Sequence, residues 1–290
     1  MFNFIKLFFL NLTQKRFFNF LFLWFANKEL GYITSLSIRF FIWFYKINIF
    51  ESKNNNIYNY KTFNDFFIRS LDKKFRPVDF NSNILIFPSD GIINQIGIIN
   101  KDQIFQAKDN FYSLESLLAG NSELSYMFYK GNFINIHLSP GDCHRIYMPY
   151  QGLLKKIIYV PSNFNIFNKV PSNNTPNLFT NNERIICVFE TNFGPIVHIF
   201  IGSAIIRSIK TIWLDKITSF SNKTIRTWNW NKNKEFANLF KGQEIGYFNI
   251  GSTIINLFPS NKIKFLKNLK VGSRTKFGSA MCYLLDDKHK

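Results

Sequence analysis

The strongest constraint on the fold is a change of pattern along the chain. The first 50 residues hold long apolar runs with scattered cations, a pattern that predicts amphipathic helices. From residue 84 onward, short apolar runs are bounded by Gly, Pro, Asn and Ser, a pattern that predicts short strands. The predicted strands are Ile84–Phe87, Phe133–Leu138, Leu154–Val160, Arg184–Glu190, Ile196–Ile206 and Thr253–Phe258. Helices followed by mostly antiparallel strands indicate an α+β fold with a sandwich- or barrel-like core.

Composition excludes several protein classes. Hydrophobic residues make up 46% of the 290 residues, which is enough for a sizeable core and rules out wholesale disorder. The three cysteines, Cys143, Cys187 and Cys282, cannot all pair within one chain, and none is in a CxxC spacing. A disulfide scaffold and a cysteine zinc site are therefore disfavoured, and a reducing compartment fits the chain.

Net charge points to an anionic partner. There are 36 Lys+Arg and 18 Asp+Glu, so the formal net charge is +18. Nucleic acid and an acidic lipid surface are the two partner classes that such a charge favours. Asn, Lys, Ile and Phe are also the residues that an AT-rich genome over-produces, so mutational bias competes with either function as the cause of the charge.

The N-terminal region predicts a membrane-surface segment. The most apolar run, Phe17–Ala26, is ten residues long, whereas a spanning helix needs roughly 20. Phe, Leu and Trp interspersed with cations suit a helix that lies in the headgroup layer. The alternative is an ordinary pair of core-packing helices. We predict a membrane-associating helical region at residues 1–52, a polar linker around Lys53–Asn56, and a second domain at residues 57–290, in which Thr62 is a candidate N-cap.

Turn residues adjoin chemically able side chains in four places. Asp90 ends the turn Pro88–Gly91 after a strand, and His144 lies on the loop after the strand that ends at Leu138. Each motif alone is most simply structural: a turn, a satisfied histidine, an exposed salt-bridging pair, and a turn that enters a strand. The four segments are PSDG (88–91), LSPGDCHR (138–145), NER (182–184) and FNIGSTIINLF (248–258).

Signatures of other site classes do not occur in the sequence. It contains no Walker A motif, no GxGxxG after a strand, no HExxH metal motif and no GxSxG nucleophile elbow. Neither an RNP1-like aromatic run nor a helix-turn-helix is evident. A nucleic-acid-binding module would therefore depend on charge alone and is disfavoured, and no metal site is predicted.

In their order along the chain, the motifs resemble the phosphatidylserine decarboxylase family, specifically its bacterial, proteobacterial-type branch. The resemblance covers nearly the whole chain. It rests on the four segments above together with TFNDFFIRSL (62–71), RPVD (76–79), AKDNFYSLESLLAGN (107–121), PNLFTNNERIICVF (176–189), IGSAIIRSI (201–209) and KGQEIGYFNIGSTIINLF (241–258). It implies an α+β fold in which N-terminal helices lie on a β-rich antiparallel core resembling a barrel-sandwich hybrid.

The resemblance implies a proenzyme that cuts itself between Gly251 and Ser252. The Ser252 hydroxyl would attack the Gly251 carbonyl, and the resulting ester would eliminate to dehydroalanine and then hydrolyse to a pyruvoyl group. The products would be a β chain, residues 1–251, and an α chain, residues 252–290, that stay packed as one fold. The pyruvoyl cofactor, derived from Ser252, would form a Schiff base with phosphatidylserine and release phosphatidylethanolamine and CO₂.

The resemblance also assigns a Ser–His–Asp arrangement to the self-cleavage, and here the chain departs from the family. Asp90 and Ser252 match the family's Asp and Ser. The family has two histidines, the second of which resembles the charge relay, but this chain keeps only His144 and has Tyr147 at the second position. A tyrosine with an ordinary pKa near 10 is a poor base at neutral pH.

Three interpretations of the tyrosine follow, of which we favour the first. His144 does both jobs; or the Tyr147 hydroxyl merely holds Ser252 or a water and maturation is slow; or the chain matures poorly and is an unprocessed, membrane-bound relic of the fold. His137, on the adjoining strand, could compensate, but an inert strand histidine is the simpler interpretation. His144 is also the candidate acid that protonates the carbanion after CO₂ leaves.

The resemblance further implies peripheral attachment to the cytoplasmic face of the bacterial inner membrane. An anionic membrane surface and the anionic lipid phosphatidylserine both suit the positive charge. Homodimers occur in the bacterial branch, so a homodimer is an expectation of the resemblance.

Overall fold

A computed structural model describes residues 16–100, 103–106, 110–161, 182–202, 209–213, 224–231, 233–249 and 252–285. The helices are α1 (Arg16–Asn27), α2 (Tyr32–Tyr45), α3 (Phe63–Phe67), α4 (Leu114–Leu117) and α5 (Ser122–Tyr126). The strands are β1 (Ile84–Ile86), β2 (Gly91–Ile98), β3 (Gln103–Gln106), β4 (Asn110–Ser113), β5 (Asn132–Leu138), β6 (Arg145–Tyr147), β7 (Gly152–Val160), β8 (Arg184–Thr191), β9 (Gly194–Ile201), β10 (Ile209–Thr211), β11 (Arg226–Asn229), β12 (Asn238–Leu239), β13 (Glu244–Phe248), β14 (Ser252–Phe258), β15 (Ile263–Phe265), β16 (Arg274–Thr275) and β17 (Ala280–Leu284).

A nine-stranded antiparallel sheet organises the molecule. Its strand order is β11-β7-β8-β9-β14-β5-β2-β16, and β12 also pairs with β7. Two three-stranded sheets, β1-β17-β15 and β10-β13-β6, and the hairpin β3-β4 complete the described β structure. The predicted α+β class is confirmed, and the described strands form open sheets instead of a closed barrel.

Apolar side chains cover the large sheet on both faces. One face packs with the two three-stranded sheets around residues such as Ile136, Phe200 and Phe248. The other face packs with α4 and α5 through residues such as Leu117 and Ile255. Strand β14 lies near the middle of this sheet, and its alternating side chains serve both cores, which explains why its sequence reads as a nearly continuous apolar run.

Most predicted strands occur within one or two residues of their expected bounds. The exception is the run Ile196–Ile206, because β9 ends at Ile201 and residues 203–208 lie outside the described part of the chain. Thr62 is confirmed as an N-cap. Its side chain accepts a hydrogen bond from the Asp65 backbone N–H, and the Asp65 carboxylate accepts one from the Thr62 backbone N–H.

The predicted linker is attached to the rest of the fold. The backbone of Lys53 donates to Ser70 O at 2.9 Å, and Ser52 forms a bridge with Leu71. Asn56 caps a 3-10 turn at Ile57–Asn59. The division into units at residues 1–52 and 57–290 stays a prediction.

Helices α1 and α2 pack only part of their apolar surface. Ala26, Ile38 and Phe66 belong to a small buried cluster that joins these helices to α3. On the opposite side of α2, large side chains recur at helical spacing and are each more than half exposed: Ile33, Leu36, Phe40 and Trp43. In the described residues, no helix is both long and apolar enough to cross a bilayer.

Candidate active site

Three strand ends meet at one edge of the large sheet. Strand β2 begins directly after Asp90, and β14 begins at Ser252. Strand β5 lies between them, and its residue His137 pairs with Ile92 on one side and with Thr253 on the other. The register therefore brings Asp90, the loop after Leu138 and the start of β14 to the same edge. Gly251 and the Ser252 side chain lie outside the described part of the chain.

Gly91 allows the close approach of β2 to β5. A Cβ atom on this residue would lie 2.7 Å from His137 O and 2.8 Å from Ile136 Cγ2. Real Cβ atoms do not tolerate such contacts, so the glycine of the PSDG segment serves strand packing beside Asp90.

The Asp90 carboxylate is buried and held by several donors. Arg76 Nε donates to Oδ1 at 3.0 Å and to Oδ2 at 3.1 Å, and Arg76 Nη2 donates to Oδ2 at 2.7 Å. The backbone N–H of Phe277 donates to Oδ1 at 2.8 Å. These donors fix the orientation of Asp90 and provide its counter-charge.

Arg76 also bridges Asp90 to the segment that follows α2. Its Nη2 atom lies 2.7 Å from Glu51 Oε2 as well as 2.7 Å from Asp90 Oδ2. Burial works against the charged guanidinium, but the two carboxylates outweigh it and raise the pKa of Arg76 above its ordinary value. Arg76 is therefore a firmly charged link between Glu51 and the site.

His144 lies wholly buried on the loop between β5 and β6. Its ring stacks on Phe67 with the centroids 4.1 Å apart, and Nε2 lies 3.2 Å from Ser139 O. Because a carbonyl oxygen only accepts, Nε2 carries the hydrogen and Nδ1 keeps its lone pair. Nδ1 is buried and has no hydrogen-bond partner among the described residues.

Electrostatics keep the His144 ring neutral. Burial is the main cause and the nearby charge of Arg69 is the second, and together they lower the pKa of His144 to about 3. At neutral pH the ring is therefore an uncharged base with a free Nδ1 lone pair, but a weak one.

Tyr147, on β6, and Asp90 both contact Phe277. The tyrosine ring stacks on Phe277 with the centroids 3.7 Å apart, and Phe277 is the residue whose N–H binds Asp90. The Tyr147 backbone also donates to Pro88 O at 2.8 Å. Burial raises the pKa of its hydroxyl further above 10, so Tyr147 is not a base at neutral pH.

His137 lies one residue out of register with Ser252. It pairs with Thr253, and its Nδ1 lies 3.5 Å from Thr253 Oγ1. This contact gives His137 a local partner, as expected for an ordinary strand histidine.

The segment that starts with α3 forms a wall of the site. Arg69 Nη2 donates to Gly141 O at 2.7 Å, and Arg145 Nε donates to Ile68 O at 2.8 Å. Arg145 in turn binds both Glu244 carboxylate oxygens. The sequence motifs contained Arg69 and Arg76, but nothing in their local pattern assigned them to the site.

The interpretation of Glu183 and Arg184 as an exposed pair is wrong. Both side chains are about 3% exposed. Tyr159 donates its hydroxyl hydrogen to Glu183 at 2.9 Å, and Arg184 donates to the carbonyls of Ser116 and Leu117 at the end of α4. Their partners are distant in sequence, so spacing alone could not find them.

Known proteins match this chain over most of its length. The family model described as phosphatidylserine decarboxylase matches residues 63–283. A phosphatidylserine decarboxylase proenzyme of Erwinia tasmaniensis is 44% identical over 264 residues, which cover 90% of this chain and 88% of that protein. One of Escherichia coli strain 55989 is 43% identical over 260 residues, covering 89% of this chain and 81% of that protein. The chain therefore belongs to the phosphatidylserine decarboxylase family.

Proposed function

We propose that this chain is a proenzyme that cuts itself between Gly251 and Ser252 and then decarboxylates phosphatidylserine to phosphatidylethanolamine. The observation that carries the proposal is the register that brings Asp90, the His144 loop and the start of β14 to one sheet edge. The relatives' name, phosphatidylserine decarboxylase proenzyme, supports both the self-cleavage and the decarboxylation.

Self-cleavage needs a base for the Ser252 hydroxyl, and His144 is the best-suited side chain. Its Nδ1 lone pair is buried and unpartnered among the described residues, whereas the raised pKa of Tyr147 excludes that hydroxyl as a base. As Oγ attacks the Gly251 carbonyl, Nδ1 accepts the proton and then returns it to the Ser252 nitrogen. Because a pKa of about 3 makes the imidazolium a strong acid, the return step is easy and the first step is slow.

The following steps complete the maturation. The ester between Gly251 and Ser252 then eliminates: the Cα proton of residue 252 is lost to solvent and the Cβ–O bond breaks, which leaves Gly251 with a free carboxylate and residue 252 as dehydroalanine. Hydrolysis of that residue releases ammonia and leaves a pyruvoyl group on the α chain, residues 252–290. The β chain, residues 1–251, still pairs with it because β14 lies between β5 and β9.

The site residues suit the decarboxylation that would follow. When present, the pyruvoyl group would supply an electron sink for the electron pair that stays on the carbon when CO₂ leaves. His144 Nδ1 would take up the proton that the serine ammonium group of the substrate gives up and then deliver it to the carbon that loses the carboxylate. The Phe67 ring, stacked on the imidazole, covers one of its faces. Because Tyr147 stands where the family resemblance places a second histidine, His144 would serve both reactions.

The exposed face of α2 suits a peripheral membrane attachment at the cytoplasmic surface. Ile33, Leu36, Phe40 and Trp43 offer apolar anchors, and Arg39 and Lys46 add attraction to anionic lipids. The same helix ends beside the site, since a Cβ on Gly141 would lie 3.2 Å from Tyr45 Cβ. Docking through α2 would therefore bring the site close to lipid headgroups.

Co-sedimentation with phosphatidylserine vesicles tests this attachment. We expect the double variant F40S/W43S to lose most of its binding, because two anchors are removed. V271S, which alters an exposed residue far along the chain, is the matched control. Equal binding by all three proteins would contradict docking through α2. The homodimer of the bacterial branch stays a prediction.

Denaturing mass spectrometry tests the self-cleavage. We expect two chains, the smaller beginning at a pyruvoyl-blocked residue 252, and release of CO₂ from phosphatidylserine vesicles. S252A should remain one chain, and S279A, which alters an exposed serine, should cleave like the parent. A single 34.3 kDa species after long incubation with vesicles would contradict the proposal and favour the unprocessed relic.

A further inference from the structure

A buried arginine clamps the loop that carries His144. Arg69 follows α3 and is only 4% exposed. Its Nη2 donates to Gly141 O at 2.7 Å, its Nη1 to Phe66 O at 3.4 Å, and its carbonyl accepts from Cys143 Sγ at 3.4 Å. Arg69 thus joins the end of α3 to Gly141 and Cys143, which precede His144 in its loop.

The charge of Arg69 is not matched by a contacting carboxylate among the described residues. Nε, buried, has no hydrogen-bond partner there either. The nearby acid Asp142 is engaged elsewhere, because it accepts from Ser139 N at 2.8 Å and from Arg274 Nη1 at 3.4 Å. Asp142 and Asp90 act on Arg69 only at a distance. A buried cation with no carboxylate in contact costs folding stability, so stability alone does not account for Arg69.

Two consecutive rings of α3 hold the arginine and the histidine. The Arg69 guanidinium lies over the Phe66 ring at 4.8 Å, and the His144 ring stacks on Phe67 at 4.1 Å. The guanidinium and the imidazole are therefore held on neighbouring rings, and both residues are buried, so solvent screens the charge only weakly.

Resting on the function proposed above, we propose that Arg69 is a positioning residue that keeps His144 neutral, with its hydrogen on Nε2 and the Nδ1 lone pair free. The clamp on Gly141 holds the loop so that Ser139 O accepts from Nε2. The unpaired positive charge opposes a second proton on the ring. The imidazolium that forms when Nδ1 takes the Ser252 proton is then driven to release it to the departing nitrogen.

Other charged or titratable groups around His144 are fewer and weaker. His137 on β5 would act in the same direction as Arg69 when protonated, whereas the Ser139 and Pro140 carbonyls favour the charged ring. The neighbouring Asp142 is occupied by Ser139 and Arg274, and the Cys143 thiol is kept neutral by burial, which raises its pKa to about 11. Arg69 is thus the dominant charge.

Nitrogen NMR of ¹⁵N-histidine-labelled full-length protein tests the proposal. An S252A background blocks processing, so the result does not depend on whether the chain cleaves, and H144Q identifies the His144 signals. We expect the neutral Nε2–H form throughout pH 5–8 in the parent and in R69K. In R69M, the titration midpoint of His144 should rise by about one pH unit or more.

R274M removes an exposed cation of β16 that contacts Asp142 in this loop, and it should leave the His144 titration unchanged. A parent ring with its hydrogen on Nδ1, or a parent midpoint near 6.5, would overturn the proposal even if R69M did not fold. An unchanged midpoint in folded R69M would overturn it as well.

Discussion

Two buried arginines border the candidate site, and their charges are treated in opposite ways. Arg76 lies 2.7 Å from both Glu51 and Asp90, and these carboxylates raise its pKa. The Arg69 guanidinium donates hydrogen bonds to carbonyl oxygens and lies over an aromatic ring, with no carboxylate in contact among the described residues, and burial lowers its pKa. A compensated charge fixes geometry, whereas an uncompensated charge changes the protonation of its neighbour.

Removal of Arg76 should have the largest effect. R76M leaves the Asp90 carboxylate buried without its counter-charge, and breaking such a pair costs about 3–5 kcal/mol. Urea unfolding in the S252A background should show that loss, and self-cleavage of R76M in the otherwise native chain should be abolished.

Two variants with smaller expected losses of unfolding free energy provide the comparison for R76M. K155M breaks the exposed pair with Glu190 and should cost less than about 1 kcal/mol. E51Q keeps the Arg76–Asp90 pair, and its cost should lie between the other two. If R76M were no more destabilised than K155M, Arg76 would not support Asp90.

Restoration of the second histidine should have the next largest effect. The ring at position 147 stacks on Phe277, whose N–H binds Asp90, so Y147H would put an imidazole beside that carboxylate. General base catalysis typically contributes on the order of 100-fold or more, and we expect self-cleavage to accelerate by about that factor. The half-time of precursor loss measures it.

The phenylalanine variant separates the remaining interpretations of Tyr147. Y147F should cleave at the parent rate if His144 does both jobs. A much slower Y147F would mean instead that the tyrosine hydroxyl holds a reacting group. An unchanged rate in Y147H would contradict the charge-relay role of this position.

Stability should fall on acidification because two buried histidines are neutral. Burial lowers the pKa of His144 to about 3 and of His198 to about 4, whereas an unfolded histidine has a pKa of about 6.5. Between these values the unfolded chain binds more protons, so the free energy of unfolding falls by about 1.4 kcal/mol per pH unit and ring. Urea unfolding of S252A at pH 6 and pH 5 measures the slope.

The variant H144Q measures how much of the pH dependence of the unfolding free energy comes from His144. Without His144, the slope between pH 6 and pH 5 should be about one proton smaller. The same slope in H144Q and the parent background would mean that Arg69 and burial do not keep this ring neutral.

The sequence predicted features that depend on neighbouring residues. Turn residues around apolar runs located β5 and β14, and Thr62 was predicted as a helix N-cap. Resemblance to one family supplied Asp90, His144 and Ser252, and the register brings their strand ends together.

Features that depend on distant partners were not predictable in this way. Arg76 is 25 residues from Glu51 and 14 from Asp90, so only the folded chain reveals their pairing. Arg184 was expected on the surface but donates to carbonyls 67 and 68 residues away. Charged residues are usually exposed, and only their tertiary contacts mark the exceptions.

The position of β14 between β5 and β9 makes folding of the large sheet depend on whether the chain is intact. In the uncut chain, the strand joins its sheet as part of one molecule, and its local concentration is set by the connecting backbone. After the cut proposed between Gly251 and Ser252, the same pairing would require two separate chains to meet. On that proposal the uncut precursor is the form that folds, and a cleaved molecule that unfolds would regain its structure only by association of its two chains.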